Sequence, residues 1–206
     1  MKTAKNELNY GNVQGLVKNE PYFPNEKTAL FSIKVKDDRI NPQTQKPNTY
    51  MIQCTAFGKE ADKLRGVKEG TLVYVRYHLT KSKRTDKLGI TTIFNNRIAD
   101  EVVVGEHLTG KDLIRVPYIN DGIFQGELLY VYVNEDCETA HIAVRTEVES
   151  LSGKKLTNVL DFTAYGPIIK TINKFYSSGD PISLRYKIEM TKKKGESLTD
   201  YVITAV

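Results

Sequence analysis

The feature that most limits what this chain can fold into is an internal duplication. The first half gives T-A-F-G at Thr55 to Gly58, then an apparent helix from Lys59. The strand-like GTLVYVRY follows, ending at Tyr77, and then the lysine-rich TKSKRTDKLG. The second half repeats the order: T-A-Y-G at Thr163 to Gly166, a helical PIIKTINKFY from Pro167, DPISLRY ending at Tyr186, then TKKKG. Gly58 and Gly166 are 108 residues apart, and Tyr77 and Tyr186 are 109 apart, so the copies differ by one inserted residue between these landmarks. A period of roughly 20 to 50 residues would indicate a solenoid, whereas one of domain length indicates a duplicated domain. The 206 residues accommodate two small domains. The joint is expected near Gly105 to Lys111 (GEHLTGK), where glycines and polar residues interrupt the strand pattern, giving domains 1–106 and 107–206.

Within each copy the hydrophobic pattern has period two, with turn residues between runs. Strands are expected at Asn12–Lys18, Thr28–Lys36, Thr49–Phe57, Thr71–Thr80 and Ile90–Ala99. In the second copy they fall at Phe124–Asn134, Thr139–Thr146, Leu156–Tyr165, Pro181–Met190 and Leu198–Ala205. The second helix carries Ile168, Ile169, Ile172 and Phe175 at helical spacing. The order predicts an all-β protein of two tandem OB-type five-stranded barrels, each with one short helix between strands three and four.

Alternation also sorts the third strand into faces. Ile52, Cys54 and Ala56 suit a core, and Met51, Gln53, Thr55 and Phe57 then point outward. Tyr165 occupies the matching outward position in the second copy. A β-surface bearing isolated rings among cations suits unpaired nucleic acid, because rings stack on bases and cations follow phosphates. Phe57 and Tyr165 are the stacking candidates; the bland alternative is that each ring packs under its neighbouring helix or loop.

Charge favours the first copy. Residues 1–105 hold 18 Lys and Arg against 11 Asp and Glu, and residues 106–206 hold 12 against 14. Phosphate attraction dominates sequence-independent affinity, so the first copy should carry most of the binding. Two basic hairpins contribute. Lys36 to Asn48 (KDDRINPQTQKPN) is read as a long mobile finger holding Arg39 and Lys46, and the last hairpin holds Lys81, Lys83, Arg84 and Lys87. With Lys34, Lys36, Gln53 and Arg76 on adjoining strands, and Lys192 and Lys193 in the second copy's last hairpin, these complete the candidate nucleic-acid contacts. Solvated hairpins without a ligand are the alternative.

Other classes find little support. Apolar runs such as Val102–Val104 and Leu128–Val133 fall far short of the roughly 20 residues of a membrane span. MKTAKNELNYG lacks the apolar stretch of a secretory signal, so a cytoplasmic location is expected. Cys54 and Cys137 form no CxxC and are expected as reduced, buried thiols. His78, His107 and His141 stand singly, so neither metal nor cofactor is expected. No P-loop, HExxH or GxSxG is present, and the chain is read as not an enzyme.

Residues 9 to 104 resemble the bacterial-type single-stranded DNA-binding protein family. The resemblance is carried by Asn12, Val13, Gly15 and Leu16, by ALFSIKV, by MIQCTAFGKEADKL, by EGTLVYVRYHL and by the hairpin ending DKLG. It implies that Met51 and Phe57 lie where the family places base-stacking rings on the third strand, and Arg84 where it often has another. Only Phe57 keeps the ring; Met51 offers soft apolar contact and Arg84 a planar guanidinium. The family's glycine-rich tail with an acidic, hydrophobic tip is missing, since this chain ends DYVITAV. The duplication resembles a minority of members with two OB domains per chain, which implies a homodimer, and both departures fit a phage- or plasmid-encoded member. The function implied is sequence-independent binding and protection of single-stranded DNA during DNA replication or recombination, with RNA not distinguished. The alternative is an OB-fold assembly module of a replication or conjugation complex, to which nucleic acid is incidental.

Overall fold

Every second side chain of a β-strand points to the same face, and in a computed structural model this chain uses that alternation to fill two separate interiors. The structure describes residues 8–41, 44–86, 89–114, 116–134, 138–149, 155–193 and 196–206. The first copy comprises β1 (Asn9–Val17), a short β2 (Tyr22–Asn25), β3 (Thr28–Asn41), β4 (Lys46–Phe57), α1 (Lys59–Asp62), β5 (Thr71–Thr85) and β6 (Thr91–His107). A 3-10 turn at Gly110–Ile114 leads to β7 (Ile119–Val133), β8 (Thr139–Glu149), β9 (Lys155–Tyr165), α2 (Pro167–Phe175), β10 (Pro181–Lys193) and β11 (Glu196–Ala205).

The pairings run in the same cycle twice. β1 lies antiparallel to β5, from Gly11↔Tyr77 to Leu16↔Leu72, and meets β3 at Leu16↔Lys34. β3 pairs with β4, β4 runs parallel to β6 at Thr55↔Ile98, and β6 returns beside β5, closing the ring. In the second copy β7 pairs with β8 and β10, β8 with β9, β9 runs parallel to β11 at Thr163↔Val202, and β10 pairs with β11. By packing, the chain divides into a leading unit, Gly11–Leu79 with Asn95–Asp121, and a trailing unit. The trailing unit holds the chain up to Tyr10, Thr80–Phe94 and Gly122–Val206. Within the trailing unit the Gln125 N–H donates to the Leu8 carbonyl at 2.6 Å, which accounts for the early residues belonging there.

The leading interior is filled by Val13, Ile33, Ile52, Val73, Val75 and Tyr77. The trailing interior is more aromatic: Phe124 and Phe162 lie 5.1 Å apart, and Tyr186 and Tyr201 meet edge to face at 5.8 Å. The landmark tyrosines Tyr77 and Tyr186 are both buried, each opposite a glycine, Gly11 and Gly122. A Cβ on Gly122 would overlap the Tyr186 ring, and one on Gly15 or Gly126 would overlap the carbonyl oxygen of Lys34 or Arg145. GNVQG at Gly11–Gly15 and GIFQG at Gly122–Gly126 are thus a further repeated element, whose second glycine in each copy is set by close backbone approach.

The helices follow the same template. Gly58 and Gly166 precede them with φ of 52° and 55°, a conformation that favours glycine. Glu60 of α1 accepts from the Val102 N–H at 2.5 Å and from Lys63 Nζ at 2.8 Å. Burial acts to raise its pKa, but these two hydrogen bonds and the Lys63 charge together hold the carboxyl below its usual range. In α2, Ile169 and Ile172 are buried, whereas Phe175 is exposed despite its helical spacing.

Both basic hairpins differ from expectation. The segment read as a finger is largely ladder, for β3 continues to Asn41 and pairs Ile40↔Pro47 and Asn41↔Lys46 beyond an irregularity between Lys36 and Ile40. Likewise β5 continues through Thr85, whose hydroxyl lies 2.9 Å from that of Thr91 on β6. Turn-forming residues show that a reversal occurs, but cross-strand hydrogen bonding decides how near the tip the pairing reaches.

Candidate nucleic-acid interface

The register of β3 against β4 builds one outward wall in the leading unit. Phe57 faces Thr28, Thr55 faces Leu30, Gln53 faces Ser32, Met51 faces Lys34 and Thr49 faces Lys36. The alternate residues Ile52, Cys54 and Ala56 are buried, so the wall's side chains turn away from the interior. Phe57 is 51% exposed, and Tyr22 of β2, opposite Leu30, is 65% exposed. Lys34, Lys36, Met51, Gln53 and Phe57 thus share a wall, with the Lys36 ammonium 5.5 Å from the Tyr118 ring centroid.

The remaining cations are distributed differently. Arg39 lies on the β3 extension, its guanidinium 2.7 Å from Asp37 and 2.8 Å from the Tyr50 hydroxyl, while Lys46 is exposed opposite Asn41. Arg76 sits on β5 opposite Asn12 and 3.6 Å from Glu101, outside the β3–β4 row. Lys81, in the trailing unit, contacts Asp161 of β9 at 2.6 Å, with its backbone N–H directed at Asn158 Oδ1. Lys83 is exposed. Arg84, Lys192 and Lys193 are placed by their strands alone, since their side chains lie outside what is described. Lys87 and Cys137 lie outside the described residues. Tyr165 is 42% exposed opposite Thr139.

Sequence reasoning missed several surface groups. Tyr22 and Leu30 extend the leading wall, and Tyr130 and Tyr132 of β7 are exposed in the trailing unit. The period-two spacing in Leu-Tyr-Val-Tyr-Val was the available signal, but a tyrosine in such a run reads equally well as core. Also missed was a cavity of about 330 Å³ in the leading unit. It lies between Tyr22, the outward residues of β3 and β4, and Asn95, Asn96 and Arg97 of β6.

Burial pushes the Cys54 thiol up to about 12 against the opposing charge of Arg97, so it remains protonated and inert. His78 Nδ1 lies 2.7 Å from Asp100. Among the described residues no cluster of three His, Cys, Asp or Glu could hold a metal ion, and no helix is long and apolar enough to cross a membrane.

No protein-family model matches the sequence, and no curated protein matches it significantly. Solved structures do match. A deletion mutant of the single-stranded DNA binding protein from Thermus aquaticus superposes with a TM-score of 0.68 at 16% identity, over 96% of this chain and 92% of that one. The wild-type protein gives 0.65 at 15% identity, over 96% and 91%. The chain therefore shares the all-β fold of those proteins along nearly its whole length, the fold to which the resemblance in the first copy pointed.

Proposed function

We propose that this chain is a divergent member of the single-stranded DNA-binding protein family. In this reading it binds single-stranded DNA with broad sequence tolerance along the β3–β4 wall of the leading unit. The carrying observation is that a half-exposed ring, Phe57, shares that wall with Met51, Lys34 and Lys36. Stacking contributes about 1 to 3 kcal/mol per base, and the lysines supply the counter-charge for phosphates. The fold shared with a protein named for single-stranded DNA binding supports the same reading.

In this reading each pairing ring is an OB barrel with its helix after the third long strand, and the copies divide at 106/107 as products of duplication. The chain acts in the cytoplasm without catalysis, covering DNA during replication or recombination, as a homodimer presenting four barrels. Titration of labelled dT oligomers of increasing length, with light scattering for mass, tests it. Saturable binding much tighter than to duplex is expected, and equal affinity for duplex and single strand at moderate salt contradicts it.

The trailing unit favours a second reading for its own surface. Asp161, which binds Lys81, lies 3.4 Å from the Tyr130 hydroxyl, and Tyr132 is exposed on the same strand as Tyr130. A sheet with exposed tyrosines whose carboxylate is already paired with a lysine suits protein assembly better than phosphate, and under this reading substitutions there change mass in solution and leave dT affinity unaltered.

A further inference from the structure

We propose that Tyr22 and the cavity beside it form a second base subsite on the leading wall, taking one base of the strand that Phe57 stacks, whichever base that is. The inference rests on the single-strand reading above and adds to it a second contact with the same strand. Tyr22 pairs opposite Leu30 on β3, and Leu30 pairs opposite Thr55 on β4. Residues directly opposite one another on neighbouring strands share a face, so Tyr22, Leu30 and Thr55 form one row across the wall, next to the row of Thr28 and Phe57. At ordinary sheet spacings, two residues along and two strands across put the Tyr22 and Phe57 Cα atoms about 12 Å apart. Rings pair at centroid separations up to roughly 7 Å, so these two stand as separate platforms for two bases of one strand.

A single exposed ring is ordinary on a protein surface, but Tyr22 differs in its surroundings. Its neighbour Phe23 is half-buried, with the Arg65 guanidinium 4.8 Å from its ring centroid, so Phe23 helps to seat β2 while Tyr22 is left 65% exposed. On the same wall the cavity of about 330 Å³ is lined by Tyr22, Gln53, Thr55, Asn19 and Asn95, and its volume lies at the lower end of small-ligand sites. The amides of Asn19, Gln53 and Asn95 each donate and accept, so together they satisfy the edge of any base. The charged groups of the lining do not suit a phosphate: Glu20 repels it, and Arg97 is buried and bonded to the Gln53 carbonyl at 2.6 Å. The cavity thus suits a base and leaves the backbone phosphates to Lys34 and Lys36.

The test uses the full chain and labelled dT oligomers of one site length, in which a single abasic residue is placed at each position in turn. The parent chain is expected to show two positions at which the missing base weakens binding about 10-fold. In Tyr22→Ala the affinity for plain dT should fall about 10-fold at an unchanged unfolding midpoint, and one of the two positions should lose its sensitivity. Phe57→Ala should silence the other position, and Tyr22→Phe, which keeps the ring, should match the parent. Asn95→Ala, at an exposed position of the lining, should reduce sensitivity at the Tyr22 position alone; no change, or a change at the Phe57 position, overturns the cavity's part in the subsite. Oligomers with adenine, cytosine or guanine at the Tyr22 position should bind within about 3-fold of plain dT, and a larger preference overturns the tolerance assigned to the cavity. Tyr22→Ala that binds plain dT like the parent, or that lowers the midpoint and leaves the abasic profile unaltered, overturns the inference while leaving single-strand binding intact. If the parent chain binds no dT oligomer, the single-strand reading falls and the inference with it.

Discussion

The Lys81 ammonium lies 2.6 Å from the Asp161 carboxylate, joining residues 80 positions apart. A lysine held this way neutralises a carboxylate instead of a phosphate, whereas Lys36 stands exposed on the β3–β4 wall. Lys36→Ala should therefore flatten the log-log salt dependence of dT binding by about 0.7, the share of one phosphate contact, and Lys81→Ala should leave it unchanged. Affinities measured over a range of salt concentrations check this; the opposite order would place the electrostatic track on the other hairpin.

Gly15 and Gly126 are positions where two backbones approach too closely for any side chain. Gly15→Ala and Gly126→Ala should each lower stability by roughly 1 to 3 kcal/mol through forced displacement of the neighbouring strand. Thermal or urea unfolding reads the effect, and midpoints equal to that of the parent chain would show that the strands stand further apart than described.

Cys54 should resist thiol reagents at pH 8 in the folded protein and react on unfolding, because burial raises its pKa from 9.0 to about 12. The linkage has a definite sign. Above pH 9 the unfolded chain releases this proton while the folded chain retains it, so the contribution is intact below pH 9 and lost as pH rises toward 12. Peptide mapping after alkylation separates Cys54 from Cys137, and Cys54→Ala should remove this part of the alkaline loss.

Much of this architecture was legible because it is written in local spacing. The duplicated T-A-[FY]-G landmarks mark glycines that precede helices with the same φ, and the alternation through Met51 to Phe57 separates wall from core residue by residue. What was not legible depends on register between distant segments. Tyr22 joins the wall only because β2 pairs with β3 at Leu30, and Lys81 meets Asp161 only because its hairpin packs within the trailing unit. Arg97 entered only the charge count of the first copy, which says nothing of its place, yet it is buried and bonded to the backbone of β4. Phe175 kept helical spacing but faces outward, since a nine-residue helix needs only Ile169 and Ile172 to seat it.

Phe57 and Tyr165 occupy matching positions of the two copies and are both substantially exposed, so their substitution separates a stacking role from a packing role. The most direct measurement is dT-oligomer titration of Phe57→Ala and Tyr165→Ala beside the parent chain, with unfolding midpoints taken in parallel. The account predicts that Phe57→Ala weakens binding by about 1 to 3 kcal/mol at an unchanged midpoint, and that Tyr165→Ala weakens it less. Undiminished dT affinity in Phe57→Ala, or a larger loss in Tyr165→Ala, would contradict the assignment of unpaired DNA to the β3–β4 wall.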